Sequence, residues 1–458
     1  MKGSLYAAAA ALATTAHAAQ FVMYSPGSDI DLVERADAIV TPGKISAHVH
    51  QIFGASNAAS DMTYESLQKS KCTTVGNAAG AGNAADKSVY WVPSLFGQAK
   101  DGSGYVRIPS GGHKLYYRDV GNANDKKAEP FEFPKGFFMV AGDQTRRAAN
   151  NDSRVLTTEW ICHCKSGQNN GVDQKTGFPA DVSNCDSYPG FAGSLHFPHC
   201  WNGKMPKVND NSHMAYPEGD VQSGPCPSSH PTRLPHIFLE NFYDLAKVAD
   251  KIKPNSFSLS QGDPTGYGLH ADFFNGWDEG AIPKLFDDCP QPYYGNSDVG
   301  TCPSFQGFDT KNTDCKLTPE FKENVDSPGK YLPGCNPITT DNPAQKMKPA
   351  PLGVCSNECT PASGASEDSP ASYEAPPSYG SSKSQKTQST TLATKQAAST
   401  PAGYSKPEAP KADEKDDDNV VYVTAMVTVT APGEAAATPA GYAQHKRHEH
   451  IHRHKRHH

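Results

Sequence analysis

The stretch Tyr267-Gly268-Leu269-His270-Ala271-Asp272-Phe273-Phe274-Asn275-Gly276-Trp277-Asp278 alternates apolar and polar side chains from Leu269 to Phe273. A period of two is that of a β-strand, so His270 and Asp272 share one face while Leu269, Ala271 and Phe273 turn toward a core. A polar pair on an apolar backing, closed by glycine-bearing turns, is how a β scaffold displays a functional site.

The rest of the first three-quarters of the chain repeats that grammar. Its apolar segments are short, rich in Tyr, Phe, Val and Trp, and bounded by Gly or Pro, which favours strands over helices. Strands are expected at 38–40, 88–92, 105–108, 114–118, 137–141, 154–162 and 237–242. Helices are expected only at 64–69, at 245–251 and in a short turn where Ile282, Leu285 and Phe286 share a face. The fold class is therefore mainly β, a two-sheet sandwich of jelly-roll type with long loops, spanning residues 19–336.

The N-terminus has Lys2, an alanine-rich apolar run and Ala16-His17-Ala18, the pattern of a secretory signal peptide over residues 1–18. Cleavage after Ala16 would instead expose His17. No later stretch is long and apolar enough to span a bilayer. In an exported chain, 12 cysteines read first as disulfides, and no Cys-x-x-Cys pair suggests a zinc ribbon. Cys162 and Cys164, one residue apart on an expected strand, are set to bond to different partners. A net charge of −7 with scattered signs excludes a nucleic-acid groove.

Composition changes at 337. Residues 337–418 are rich in Pro, Ser, Thr and Ala, too poor in apolar surface to offset the entropy of ordering, and read as a disordered linker. Residues 419–431 are β-prone, and 432–458 form a His/Lys/Arg-rich tail suited to binding a divalent metal.

In Ser46-Ala47-His48-Val49-His50-Gln51, an extended backbone puts His48 and His50 on one face, the geometry of a chelating pair. Further histidines, His196, His199, His213 and His236, stand beside prolines and cysteines in residues 195–237. A zinc or copper ion is placed among His48, His50, His213, His236 and His270, with Asp272 as ligand or hydrogen-bonding support. Trp91, on an expected strand, is read as core.

These motifs together, His48-Val-His50-Gln51, Cys72-Thr-Thr, Asp86-Lys-Ser-Val-Tyr-Trp91, Phe197-Pro-His-Cys-Trp201, His213-Met-Ala-Tyr-Pro217 and Gly262 to Trp277, resemble the secreted, mainly fungal family DUF1996 over residues 25–290. The resemblance implies export and a context of cell-wall polysaccharide, with no activity attached to it.

Three functions are compatible with these residues. A polysaccharide hydrolase or lyase would draw its acid, base or nucleophile from His270, Asp272, Asp278, Glu240 and Tyr267. Its sugar contacts would come from Trp277, Asn275, Trp201, Tyr216 and Gln51. A non-catalytic wall or polysaccharide-binding protein would use the same contacts without turnover. A copper- or zinc-binding extracellular protein would use the histidines.

Overall fold

The computed structural model describes residues 20–27, 30–149, 157–163, 177–183, 185, 190–289, 298–326 and 329–352. The expected signal peptide, most of the linker, the β-prone segment and the histidine tail lie outside these residues. Ten strands build two sheets: β1 (Gln20–Ser25), β2 (Leu32–Ala36), β3 (Ile45–Gly54), β4 (Val89–Pro93), β5 (Ser110–Arg118), β6 (Phe138–Gly142), β7 (Thr158–Cys162), β8 (Phe191–His196), β9 (His236–Tyr243) and β10 (His270–Phe274). The first sheet runs β1-β5-β9-β8-β7 and the second β6-β10-β4-β3-β2. Every pairing within them is antiparallel. The sandwich thus has two more strands than an eight-stranded jelly roll.

Alternation decides which side chains meet between the sheets. Phe21, Leu115, Tyr117 and Leu239 from the first sheet share one core with Phe53, Tyr90, Met139 and Phe273 from the second. Each such side chain contributes about 1.5–3 kcal/mol by leaving water. The Tyr90 and Tyr117 hydroxyls, 2.6 Å apart, join the sheets, and Trp277 Nε1 donates to Tyr117 at 2.9 Å.

The second sheet is covered on its other face as well. Ile52, Trp91, Phe138 and Phe274 pack there against Ala38, Ile39, Met62, Leu67 and Leu317. Every polar residue of that parity is consequently buried. His48, His50, His270 and Asp272 have it, and none is more than 4% exposed.

Four disulfides among the described residues brace the loops: Cys72–Cys315, Cys162–Cys185, Cys200–Cys226 and Cys289–Cys302. Helices are few and short. α1 (Tyr64–Leu67) is capped by the Thr63 side chain, α2 (Ala281–Asp288) buries Ile282, Leu285 and Phe286, and Leu245–Val248 is a 3-10 turn. No helix among the described residues is long and apolar enough to cross a membrane.

Three segments differ from the sequence reading. Residues 38–40 are a turn, because Asp37 Oδ1 captures the Ile39 and Val40 amides at 2.9 and 2.8 Å, a local bond that competes with strand pairing. Phe191–His196, poor in β-branched residues, is nevertheless an interior strand. It includes Gly193, where a Cβ would sit 3.0 Å from both Leu269 and Trp160 side-chain atoms. Residues 337–352, which composition groups with the linker, lie against the sandwich. Thr339 and Ala344 donate backbone N–H groups to Gly262 O and Thr145 O at 3.0 and 2.7 Å, and Arg35 donates to Ala350 O at 2.8 Å. These bonds run to partners far away in sequence, which composition cannot register.

Candidate metal centre

His48 and His50 are two residues apart on β3 and therefore share its outer face. The register that pairs Asp272 with Trp91 sets His270 opposite Pro93, and Pro93 pairs with His50. Proline's compact ring leaves room above it, so the imidazoles of β3 and β10 meet across β4. Their ring centres lie 4.4 Å (His48–His50), 5.1 Å (His48–His270) and 6.1 Å (His50–His270) apart. One ligand atom from each of the three falls within 4.8 Å of the others.

Hydrogen bonding fixes which nitrogens face inward. His50 Nδ1 donates to Ala36 O at 2.8 Å and His270 Nδ1 donates to Gly268 O at 2.9 Å, leaving their Nε2 atoms with lone pairs. His50 Nε2 has no partner among the described residues. His48 Nε2 and His270 Nε2 are 3.1 Å apart. Two ligands of a tetrahedral ion with bonds near 2.0–2.1 Å stand roughly 3.3 Å apart, so this pair is close to chelating distance. Ligating histidines characteristically donate their second ring N–H to a carbonyl or carboxylate, as His50 and His270 do here.

Burial keeps all three rings neutral. It lowers His50 to about 4, and burial together with the neighbouring His50 lowers His270 to about 4. His48 is pushed well below the ordinary value by burial and by His50 and His270. A neutral imidazole is the metal-binding form. Carboxyls stand close by. Asp272 is held well above the usual carboxylate range by burial and by Asp37, and Asp37 is itself raised by burial. Asp37 acts electrostatically on both His270 and Asp272, and neither carboxyl joins the three histidines within ligand range, so Asp272 is a neighbour of the group rather than one of its ligands.

The remaining candidates are dispersed. His213 lies on its own, its Nε2 donating to Phe138 O at 2.8 Å and its ring edge-on to Phe137. His236 belongs to a second group on the outer face of the first sheet, with His196 and His199. His196 Nδ1 lies 3.1 Å from His236 Nε2, and those two rings stack 5.1 Å apart. His199 stands edge-on to His236 at 5.0 Å. Neither sequence spacing nor proline context had separated these two groups.

Glu240 also lies on the outer face of the first sheet, accepting the Tyr116 hydroxyl at 2.7 Å. It cannot face Asp272 across one bond, since Asp272 is on the outer face of the other sheet. Gln51 points into the sandwich core, where both its amide atoms are without a partner among the described residues. The Tyr216 hydroxyl donates to His196 O at 2.9 Å and accepts the Gly142 N–H at 3.3 Å, a bridging role. The Tyr267 ring covers Gly177, where a Cβ would approach it to 3.1 Å.

Trp277, Asn275, Trp201 and Asp278 come together elsewhere, in the wall of an open cavity of about 970 Å³ also lined by Tyr64 and Glu132. Asn275 is a scaffold there: its side-chain N–H donates to Phe133 O and Pro134 O, and its Oδ1 accepts the Trp277 N–H. Asp278 pairs with Lys87 at 2.7 Å. Trp201 is the partly exposed ring of the cavity, held by its Nε1 donating to Lys204 O at 2.7 Å.

Fold and site together define a class: a disulfide-braced β sandwich carrying a buried three-histidine group on a covered sheet face. The family model described as Domain of unknown function (DUF1996) matches residues 37–277, and the chain belongs to that family. No curated protein and no solved structure matches it. The matched span contains all three histidines of the group, Asp37 and Asp272.

Proposed function

We propose that this is a secreted metal-binding protein whose centre, His48, His50 and His270, takes a zinc or copper ion, with Asp272 and Asp37 balancing its charge. The observation that carries the reading is the convergence of three buried imidazoles, two of them oriented by backbone carbonyls. Three neutral imidazoles suit either ion. The signal-like N-terminus and the four disulfides support export. Elemental analysis of the full chain and of His50→Ala tests it, because the C-terminal histidines contribute equally to both. The expected difference is one ion per chain; equal metal contents would end the reading.

A second reading keeps the protein on extracellular or cell-wall polysaccharide, as a hydrolase, a lyase or a binding protein. The cavity holding Trp201, Tyr64 and Trp277 favours it, since its volume suits a ligand of several rings and Trp201 offers a partly exposed aromatic face. Incubation with β-glucan, chitin and pectin should give new reducing ends or unsaturated products, or retention on insoluble polymer that falls at least tenfold in Trp201→Ala. Neither products nor retention would reject it.

A further inference from the structure

Behind the wall of the large cavity, residues 85–88 and 275–278 are zipped together. Asp278 N–H donates to Ala85 O at 2.8 Å, Lys87 N–H to Gly276 O at 3.2 Å and Gly276 N–H to Ser88 Oγ at 2.9 Å. Asp86 lies inside this zipper, 1% exposed, and faces Trp277 across it in an antiparallel bridge. One unbroken row of hydrogen bonds joins the two residues through the core. Trp277 Nε1 donates to the Tyr117 hydroxyl at 2.9 Å, the Tyr117 and Tyr90 hydroxyls are 2.6 Å apart, and the Tyr90 hydroxyl donates to Asp86 Oδ2 at 2.9 Å.

The direction of that row is forced by its two ends. An indole N–H can only donate and an ionised carboxylate can only accept, so Tyr117 donates to Tyr90 and Tyr90 to Asp86. A proton on Asp86 Oδ2 makes the carboxyl a donor and reverses both hydroxyls. The Tyr117 oxygen must then accept from Tyr90 and from Trp277, and its own proton is left without an acceptor in the row. A buried donor with no acceptor is costly, so the row is fully satisfied only while Asp86 is ionised.

The groups around Asp86 pull in opposite directions. Burial disfavours its charge; Ser88, whose N–H donates to Oδ1 at 2.9 Å, Tyr90 and the facing cation Lys87 favour it, and the carboxyl is pushed up to about 6. Lys87 is in turn paired with Asp278 at 2.7 Å. Tyr90 and Tyr117 are held well above the ordinary phenol range by burial first and then by Asp86, so they keep their protons and serve only to pass on the direction of the row.

We propose that Asp86, Tyr90, Tyr117 and Trp277 form an acid-sensing relay, in which protonation of Asp86 reverses the two hydroxyls and loosens Trp277 in the wall of the large cavity. The relay depends neither on what the cavity binds nor on a metal. Its input is a single buried carboxyl and its output is an indole of the cavity wall.

Nuclear magnetic resonance of the indole N–H groups tests it, on the full chain labelled with nitrogen-15 tryptophan. The chain has four tryptophans, and the Trp277 signal is the one lost in Trp277→Phe. As pH falls, that signal should move with a midpoint at about 6. The movement should vanish in Asp86→Asn, which removes the acid, and in Tyr117→Phe, which keeps the acid and cuts the row. Tyr117→Phe decides the question if Asp86→Asn does not fold. Lys87→Met, which removes the facing cation, should raise the midpoint. A Trp277 signal that does not titrate in this range would overturn the proposal. So would movement that persists in either severing variant, which would trace it to the cavity carboxyls Glu132 and Asp278.

Discussion

Two groups of three buried histidines sit on the two outer faces of one sandwich, and they are built for different ends. In the group of His48, His50 and His270, the Nδ1 atoms of His50 and His270 are tied to backbone carbonyls, and carboxyls of Asp37 and Asp272 stand close. In the group of His196, His199 and His236, the charged neighbours are the guanidiniums of Arg118 and Arg233 with Asp220 near His196, whereas in the first group Arg147 is the cation acting on His48. Burial first, then Arg118, lowers His196 to about 3; burial first, then Arg233, does the same for His199. His199 has neither nitrogen bonded among the described residues, and its ring does not join His196 and His236 in a ligand cluster. Guanidiniums repel a metal ion, whereas buried carboxyls can give up a proton and hold one. Histidine count and burial are the same in the two groups; the sign of the surrounding charge and the aim of the ring nitrogens differ.

The largest expected effect breaks that contrast directly. With zinc at a hundred times its dissociation constant, a site that binds only the folded chain adds about 2.7 kcal/mol of stability. The wild type and His199→Ala should both show that zinc-dependent rise in thermal unfolding, read against the same protein without zinc. His270→Ala should show none of the part that comes from this centre.

Acid should act on both groups, and a substitution isolates the share of the second. A histidine whose folded pKa lies near 3 binds its proton only in the unfolded chain, where the value is near 6.5. Its stabilising contribution is present above about 6.5 and is lost as pH falls toward 3. Each such group contributes a slope of about 1.4 kcal/mol per pH unit in that window. His199→Phe, which keeps an aromatic ring without nitrogens, should flatten the fall in stability by about one such slope between pH 6 and 4, measured by urea unfolding. An unchanged slope would mean that His199 is charged in the folded protein.

A smaller effect sharpens the role of the carboxyls. Asp272→Asn preserves shape and removes a carboxyl that can ionise when a cation binds, and should weaken zinc about 10–100-fold in a chelator competition without abolishing it. The same substitution should leave urea stability at low pH, where the carboxyl is protonated, close to that of the wild type.

Local parts of this arrangement were legible in the sequence and cross-strand parts were not. Alternation from Leu269 to Phe273 names the faces of β10, and His48-Val-His50 names a pair on β3, because both depend only on the period of a strand. That His270, rather than His213 or His236, completes the group depends on register across Pro93, which no spacing encodes. Asp37 was missed because nothing in its local sequence tells which strand the turn after β2 approaches; the bond from His50 Nδ1 to Ala36 O at 2.8 Å sets it there. The opening stretch also proved to serve two places. His270 and Asp272 belong to the histidine group, while the turn at Asn275-Gly276, where a Cβ on Gly276 would fall 2.0 Å from Lys87 O, carries Trp277 and Asp278 into the large cavity.

The central claim is that charge and nitrogen orientation, not histidine number, make one of these groups a metal site. Anomalous diffraction at the zinc edge from zinc-soaked crystals of the full chain tests it most directly. A peak within about 2.0–2.1 Å of one nitrogen each of His48, His50 and His270, with none at His196, His199 and His236, is the predicted result. A peak at the second group, or none at the first, would contradict it.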